Sequence, residues 1–254
     1  MSQGDAATTQ VTVTVTENGP YLVTGPVGMA YQVIATDDED ASWTWKQGDT
    51  VPTRVRFLLC RCGGSSTKPF CDDTHARIGF DGTETASRAP HAEQAELFGG
   101  PTMDLADADA LCAFARFCDG HGKVWHAVGE TASDQARATT AHEASHCPGG
   151  RLVARDKIAD DRDVEPHLEV SLGLIEDPTE SASGGIWLRG GIEVVGADGT
   201  AYPVRNRVVL CRCGASSNKP FCDGSHATVG FADDVLATVD ARPDGTDSVT
   251  TPDV

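Results

Sequence analysis

Residues 60–75 read CRCGGSSTKPFCDDTH and residues 211–226 read CRCGASSNKPFCDGSH, two versions of one pattern, C-x-C-x8-C-x3-H. Each supplies three thiolates and one imidazole: Cys60, Cys62, Cys71 and His75 in the first, Cys211, Cys213, Cys222 and His226 in the second. That is a full set of donors for a tetrahedral zinc ion. The spacing suits an iron-sulfur cluster better. Zinc modules usually present cysteines as C-x2-C knuckles, whereas C-x-C places two sulfurs where they grip one iron and leaves the third cysteine and the histidine for another. A 2Fe-2S cluster with mixed ligation fits that division, as Rieske centres do with two residues of each kind.

The residues between the ligands carry their own expectations. Pro69 and Pro220 lock φ and lack an N–H donor, which suits a turn that returns the third cysteine to the first two. Asp72 and Asp223 stand where a short helix can begin, so their carboxylates are expected to cap its free N–H groups and aim the helix start at the cluster. Ser65 and Ser216 are candidate donors to a cluster sulfur, and Arg61 and Arg212 candidate counter-charges, with ordinary turn polarity as the alternative for each.

With those residues in place, the two segments resemble the CDGSH iron-sulfur proteins of the mitoNEET type, whose pattern is C-x-C-x2-[S/T]-x3-P-x-C-D-G-[S/A/T]-H. The second copy meets every position, from Cys211 through Ser216, Pro220 and Gly224 to His226. The first departs once, with Asp73 in place of glycine. The resemblance implies one 2Fe-2S cluster on each Cys3His set, held in small β-rich domains that often pair as dimers. Two copies in one chain are then expected to pair internally.

The two copies are a duplication. Residues 54–80 and 205–231 align without a gap at an offset of 151, and 18 of the 27 positions are identical. Strict alternation at Val11-Thr-Val-Thr-Val predicts a half-buried strand, followed by strands over 21–27 and 53–59. The second repeat shows the same order, with strands over 186–192 and 202–210. The expected fold is mainly β with short helices: a first CDGSH domain over 1–90, a divergent ferredoxin-like α/β segment with connector over 91–183, and a second CDGSH domain over 184–254. Its tail beyond Arg242 is expected to be disordered.

The middle segment holds the other three cysteines. Met103 to Cys118 shows a helix-like apolar stripe, and Cys112-x5-Cys118 followed by Cys147-Pro148-Gly149-Gly150-Arg151-Leu152 resembles the cysteine spacing of single-cluster ferredoxins. Three thiolates match a 3Fe-4S cluster. A 4Fe-4S cluster needs a fourth ligand, for which His121, His126, His142, His146 or water are the candidates, and buried structural thiols are the alternative. From Ala154 to Ser183 the sequence reads as an acidic connector with a short strand over 168–175.

Composition narrows the function. Thirty-eight acidic residues against 20 basic ones leave a net charge of −18, and no cluster of Lys and Arg offers a face to phosphates, so nucleic acid is not an expected partner. All nine cysteines fall into the three trios, which is metal arithmetic and implies a reducing compartment. No secretory signal and no transmembrane run is recognisable, so a cytoplasmic location and no membrane contact are expected. No nucleophile–base pair, phosphate loop or dinucleotide fingerprint is present, so the chain is not expected to be an enzyme. The expectation is an iron-sulfur protein that transfers electrons or senses redox state, working with a redox partner protein. The alternatives are a cluster transfer or storage protein working with a cluster acceptor, and a zinc-stapled interaction module.

Overall fold

The computed structural model describes residues 10–159, 161–252 and 254. The first repeat contributes β1 (Thr12–Val15), β2 (Tyr21–Thr24), β3 (Gly28–Thr36), β4 (Ser42–Thr50), β5 (Arg56–Leu59) and α1 (Thr74–Ile78). The middle segment contributes α2 (His91–Gln94), β6 (Glu96–Gly99), β7 (Met103–Asp107), α3 (Val124–Ala127), α4 (Asp134–His146), β8 (Leu152–Asp156) and β9 (Arg162–Val164). The second repeat follows with β10 (Ser171–Asp177), β11 (Ala182–Arg189), β12 (Glu193–Val195), β13 (Arg207–Leu210) and α5 (Ser225–Thr228). Strands dominate and all helices but α4 are short, the mainly β fold that the patterning predicts.

The two repeats are built alike and interlocked. In the first, β2 pairs antiparallel with β5, Tyr21 opposite Leu59; in the second, β11 pairs with β13, Ile186 opposite Leu210. β1 flanks β2 and β10 flanks β11. The next place in each sheet is taken by a strand of the other repeat. β12 runs parallel to β1 with Val194 beside Val13, and β3 runs parallel to β10 with Tyr31 beside Leu174. The strand orders are β12-β1-β2-β5 and β13-β11-β10-β3-β4, and β6-β7-β8-β9 forms a third sheet.

The sequence division at 90/91 and 183/184 is therefore not how the sheets are partitioned. The second cut falls inside β11, and the exchanged strands tie the flanking thirds together. Nothing local announces a parallel pairing between strands more than 140 residues apart, as β3 and β10 are.

Period-two alternation sorts the side chains into layers. Leu172, Leu174, Ile186, Leu188, Val208 and Leu210 face the core shared with Val13, Val15, Tyr21, Val23 and Leu59 of the other sheet. Trp187 and Val209, between them in sequence, face the opposite way and meet Trp45, Ala113, Ala115, Phe117 and Val249. The five-stranded sheet is thus buried on both faces. A third cluster, with Met103, Leu105, Ala141, Ala144, Leu152 and Val164, holds β7, β8 and β9 against α3 and α4.

Three further expectations are corrected. The stripe over 103–118 is not one helix: Met103, Leu105 and Asp107 alternate with half-buried neighbours in β7, and beyond it left-handed residues at Phe114 and Arg116 separate two single 3-10 turns. The stretch 154–183 is not mainly connector, because it holds most of β8 and all of β9 and β10, and β10 turns directly into β11. The tail is not loose: Val249 is buried, the Ser248 N–H donates to the Trp45 carbonyl at 2.9 Å, and Asp247 accepts from the Trp45 N–H at 3.2 Å. Sparse apolar content hid one good anchor. No helix among the described residues is long and apolar enough to cross a membrane.

Candidate metal centres

Each C-x-C-x8-C-x3-H loop is closed onto the strand that precedes it. The Cys60 N–H donates to the Pro69 carbonyl at 2.8 Å and the Cys71 N–H to the Leu58 carbonyl at 3.0 Å. The second copy repeats both bonds, Cys211 to Pro220 and Cys222 to Val209, at 2.8 Å each. This ring returns the third cysteine to the first two. Within it the aspartates act as staples. Asp72 accepts from the Ser66 N–H at 3.0 Å, the Ser66 hydroxyl at 2.8 Å and the N–H of Thr74, first residue of α1, at 3.1 Å. Asp223 does the same with Ser217 and Ser225. The Ser66 N–H and the other donors hold Asp72 far below the usual carboxylate range, and at Asp223 they outweigh burial and pull the group to about 2.

The donor atoms stand in pairs. Cys60 and Cys62 sulfurs are 3.7 Å apart and Cys211 and Cys213 sulfurs 3.8 Å; the Cys71 sulfur is 3.4 Å from His75 Nδ1, as Cys222 is from His226 Nδ1. Backbone N–H groups of Gly64, Asp73 and Ala215 point at Cys62, Cys71 and Cys213 sulfurs at 3.4, 3.4 and 3.5 Å. Such donors support thiolate charge, yet burial and neighbouring cysteines push the Cys62 thiol up to about 11, and burial raises Cys222 strongly. The second C-x-C pair shares a proton, with Cys211 held low by its bond from Cys213 and Cys213 correspondingly high. Paired thiols with N–H groups behind them suit a cationic centre that neutralises their charge.

The neighbouring polar side chains do other work. Ser65 and Ser216 hydroxyls donate to the Phe70 and Phe221 carbonyls at 2.6 and 2.7 Å, turned into their own loops and not toward a sulfur. Arg61 is buried against Tyr21 and Phe80 and donates to the Thr16 and Gly82 carbonyls. Arg212 is spent on two buried carboxylates, Glu176 at 3.0 Å and Asp233.

The copies differ in exposure. Cys222 and His226 are each only 3% exposed, whereas Cys71 and His75 are half-buried. Cys112 and Phe114 of the middle segment close the second site: a Cβ on Gly224 would lie 3.1 Å from the Phe114 Cβ and 3.5 Å from the Cys112 carbonyl oxygen. The matching space at the first site is filled by the Asp73 side chain, on a left-handed backbone (φ 63°) that Gly224 adopts freely (φ 86°). Asp73 Oδ1 lies 4.0 Å from the Cys71 sulfur, and Cys71, Asp73 and His75 form a group whose ligand atoms all lie within 4.8 Å of one another.

Two predictions arise here. Reduction adds an electron, which a nearby anion opposes, so Asp73→Gly should raise the potential of the first site by an amount on the order of tens of millivolts. Relief of the left-handed strain should add about 1 kcal/mol of stability. Potentiometric titration with the second site removed by Cys→Ser changes reads this shift; an unchanged potential means that the Asp73 charge does not reach the cluster. The second prediction concerns acid. A proton competes with iron for the imidazole lone pair. Burial lowers the pKa of His226, so its neutral, ligating form persists to lower pH, and the cover over that site slows access. With a cluster on each Cys3His set, its absorbance should therefore fall in two phases as pH drops from about 8 to about 5, the first-site phase leading. A decay that His75→Cys leaves unchanged would remove His75 from the ligand set.

The middle cysteines come from three different places: Cys112 after a short 3-10 turn, Cys118 within a second, and Cys147 at the C-terminal end of α4. Burial and the charges of Cys147 and Cys112 push the Cys118 thiol up to about 12. Burial raises the Cys147 thiol, opposed first by the Arg207 charge and then by the N–H groups of Leu152 and Arg151. The three are near enough for their charges to act on one another, and the Cys112 charge also raises Cys222. The candidate fourth ligands are engaged elsewhere. His121 pairs with Asp37 at 2.7 Å and His126 with Glu130 at 3.3 Å. His142 meets the Trp43 carbonyl and the Thr251 hydroxyl, and His146 meets the His142 carbonyl and Asp247.

A family model for the iron-binding zinc finger of CDGSH type matches residues 18–76 and 183–227. No curated protein and no solved structure matches the chain.

Proposed function

We propose, for a chain that carries two CDGSH iron-binding segments, that each segment holds a 2Fe-2S cluster and that the protein acts in electron transfer or redox sensing and not as a catalyst. The observation that carries this is the donor geometry, three thiolates and an Nδ1 in two close pairs, present twice. A 2Fe-2S cluster supplies a one-electron couple when bound. The chain's own residues set its environment: aspartate staples fix the loops, N–H groups hold sulfur charge, and the middle segment shields Cys222 and His226 from water. Half-buried Cys71 and His75 make the first site the place of exchange with a redox partner, and the covered second site the store.

The middle trio extends the reading to a third cluster, of 3Fe-4S type or of 4Fe-4S type with a non-histidine fourth ligand. N–H groups behind Cys147 and the arginine beside Cys112 suit bound thiolates. Its place next to Cys222 would lengthen an internal electron path. The openness of the first site also favours a second reading, donation of the cluster from Cys71 and His75 to an acceptor.

The test is direct. Protein purified without oxygen should be red-brown, with visible absorption that dithionite bleaches and with iron and acid-labile sulfide matching two binuclear clusters, plus the middle cluster where present. Serine replacement of Cys112, Cys118 and Cys147 should remove only the excess. Colourless protein with stoichiometric zinc selects the interaction-module alternative, and electron exchange without cluster loss to an apo-acceptor separates the two iron readings.

A further inference from the structure

The duplication lets one half of the molecule report on the other. In the second repeat, the edge strand β13 and the residues before it are covered by the middle segment. Arg205 donates to the Gly149 and Gly150 carbonyls at 3.1 and 3.4 Å. Arg207 donates to the carbonyls of Cys147, Ala144 and Leu152 at 2.8, 2.9 and 3.0 Å, and pairs with Glu165. Two of those carbonyls, at Ala144 and Cys147, are the electronegative end of α4. Val209 packs with Ala113, Ala115 and Phe117, leaving it 2% exposed.

Subtracting 151 gives Arg54, Arg56 and Leu58, and there nothing is docked. β5 is likewise the edge of its sheet. Arg54 and Arg56 are exposed, and among the described residues their side chains have no hydrogen-bonding or ion-pair partner, on a chain of net charge −18. Val55 is 62% and Leu58 40% exposed. Arg54, Arg56 and Leu58, with Pro52, Phe57, Phe70 and the candidate ligand Cys71, line a groove of about 600 Å3.

We propose that this Arg54–Leu58 edge, with Phe70 and Cys71 beside it, is the docking surface for a separate acidic protein, which seats an electronegative helix end and a carboxylate on Arg54 and Arg56. The inference rests on the redox reading only in making that protein one that exchanges electrons with the first site. Charge complementarity supports it, because the same arginines one repeat later already hold a helix C-terminus and a glutamate. A second copy of this chain is the poorer occupant. Its middle segment would bring Phe114 to the place taken by Asp73, where the covered copy has glycine. At physiological salt, charges more than about 8 Å apart are screened, so the net repulsion between two acidic proteins fades while contact pairs remain.

The experiment uses the full, iron-loaded chain and an acidic 2Fe-2S ferredoxin as probe, with binding followed by calorimetry at physiological salt. Saturable binding is expected, weakened about tenfold or more in Arg54→Ala/Arg56→Ala and unchanged in Arg242→Ala, an exposed arginine elsewhere. The visible spectrum of the double variant should match the parent, which excludes collapse of the site. No saturable binding by the parent chain, or undiminished binding by the double variant, overturns the proposal. So does a dimer in sedimentation that Arg56→Ala dissociates. A chain that binds zinc and no iron yet still binds the probe through these arginines would sink the redox reading and keep the docking surface.

Discussion

Alanine in place of Gly63 is expected to destabilise the protein by about 2–4 kcal/mol, the sum of a left-handed backbone penalty and an overpacking cost. Gly63 has φ 74°, and a Cβ there would lie 2.5 Å from the Cys213 carbonyl oxygen and 2.9 Å from its carbon. Its counterpart Gly214 has φ 81° and would meet the Cys62 carbonyl oxygen at 2.7 Å. Residue 62 faces 214 as 213 faces 63, the reciprocal contact of a two-fold interface, here inside one chain. The obstacle is backbone on both sides, and each backbone is pinned by a C-x-C ligand pair, so neither side yields easily. Gly79→Ala supplies the control. Its φ is 65° but nothing lies within 4 Å of an added Cβ, so it should show the conformational cost alone, about 1 kcal/mol. Urea unfolding of the two variants reads the difference. If Gly63→Ala costs no more than Gly79→Ala, the repeats do not press together in solution as they do here.

Much of this architecture is legible in the sequence because it is written in short-range patterns. Alternation at Val11 to Val15 marks β1, and the offset of 151 exposes both ligand sets and the strands that feed them. β3 and β4 lie outside the strands that alternation marks, yet they carry a signal of their own: the apolar run from Met29 to Ala35 and the alternating Trp43 and Trp45 describe a two-sided buried strand and its hairpin partner. The strand exchange had no such signal. A parallel neighbour is chosen by what packs on both faces of a sheet, and those partners come from opposite ends of the chain. The different fates of Arg56 and Arg207, one exposed and one buried under the middle segment, lie equally beyond reach. Both occur in matching repeats, and only the three-dimensional path of residues 111–152 separates them. Likewise Ser65 and Ser216 look like donors to sulfur in the sequence, but carbonyls five residues ahead in each loop claim their protons first.

Arg212 should be the most costly single side chain to remove. It is 2% exposed and its guanidinium stands between Glu176, wholly buried, and Asp233, nearly so. Glu176 also takes the Ser183 hydroxyl, and Ser183 accepts the Asp233 N–H at 2.8 Å, so β10, β11 and the segment after α5 meet in one network. A methionine at 212 fills similar volume but strands two carboxylates, at a cost of about 3–5 kcal/mol. The sign with pH follows. Burial already raises the Glu176 pKa, and losing the arginine that opposes this would raise it further. A carboxylate whose folded pKa lies above its unfolded value contributes stability at low pH that is lost as pH rises through the folded value. Arg212→Met should therefore be more damaging at pH 8 than at pH 5, and Arg212→Met/Glu176→Gln/Asp233→Asn should recover much of the loss at both. Arg61 is the internal comparison, since its hydrogen bonds go to the Thr16 and Gly82 carbonyls and, among the described residues, it makes no ion pair. Arg61→Met should cost less and show no such rise with pH. On the proposed reading, in which Cys211 and Cys213 on either side of Arg212 hold a cluster, loss of Arg212 should also release that cluster before the first, reversing the order expected of acid. Chemical unfolding at the two pH values, with visible absorbance recorded alongside, measures both effects, and a cost for Arg212→Met that is small or flat with pH would mean that the carboxylates find water or protons in the folded state.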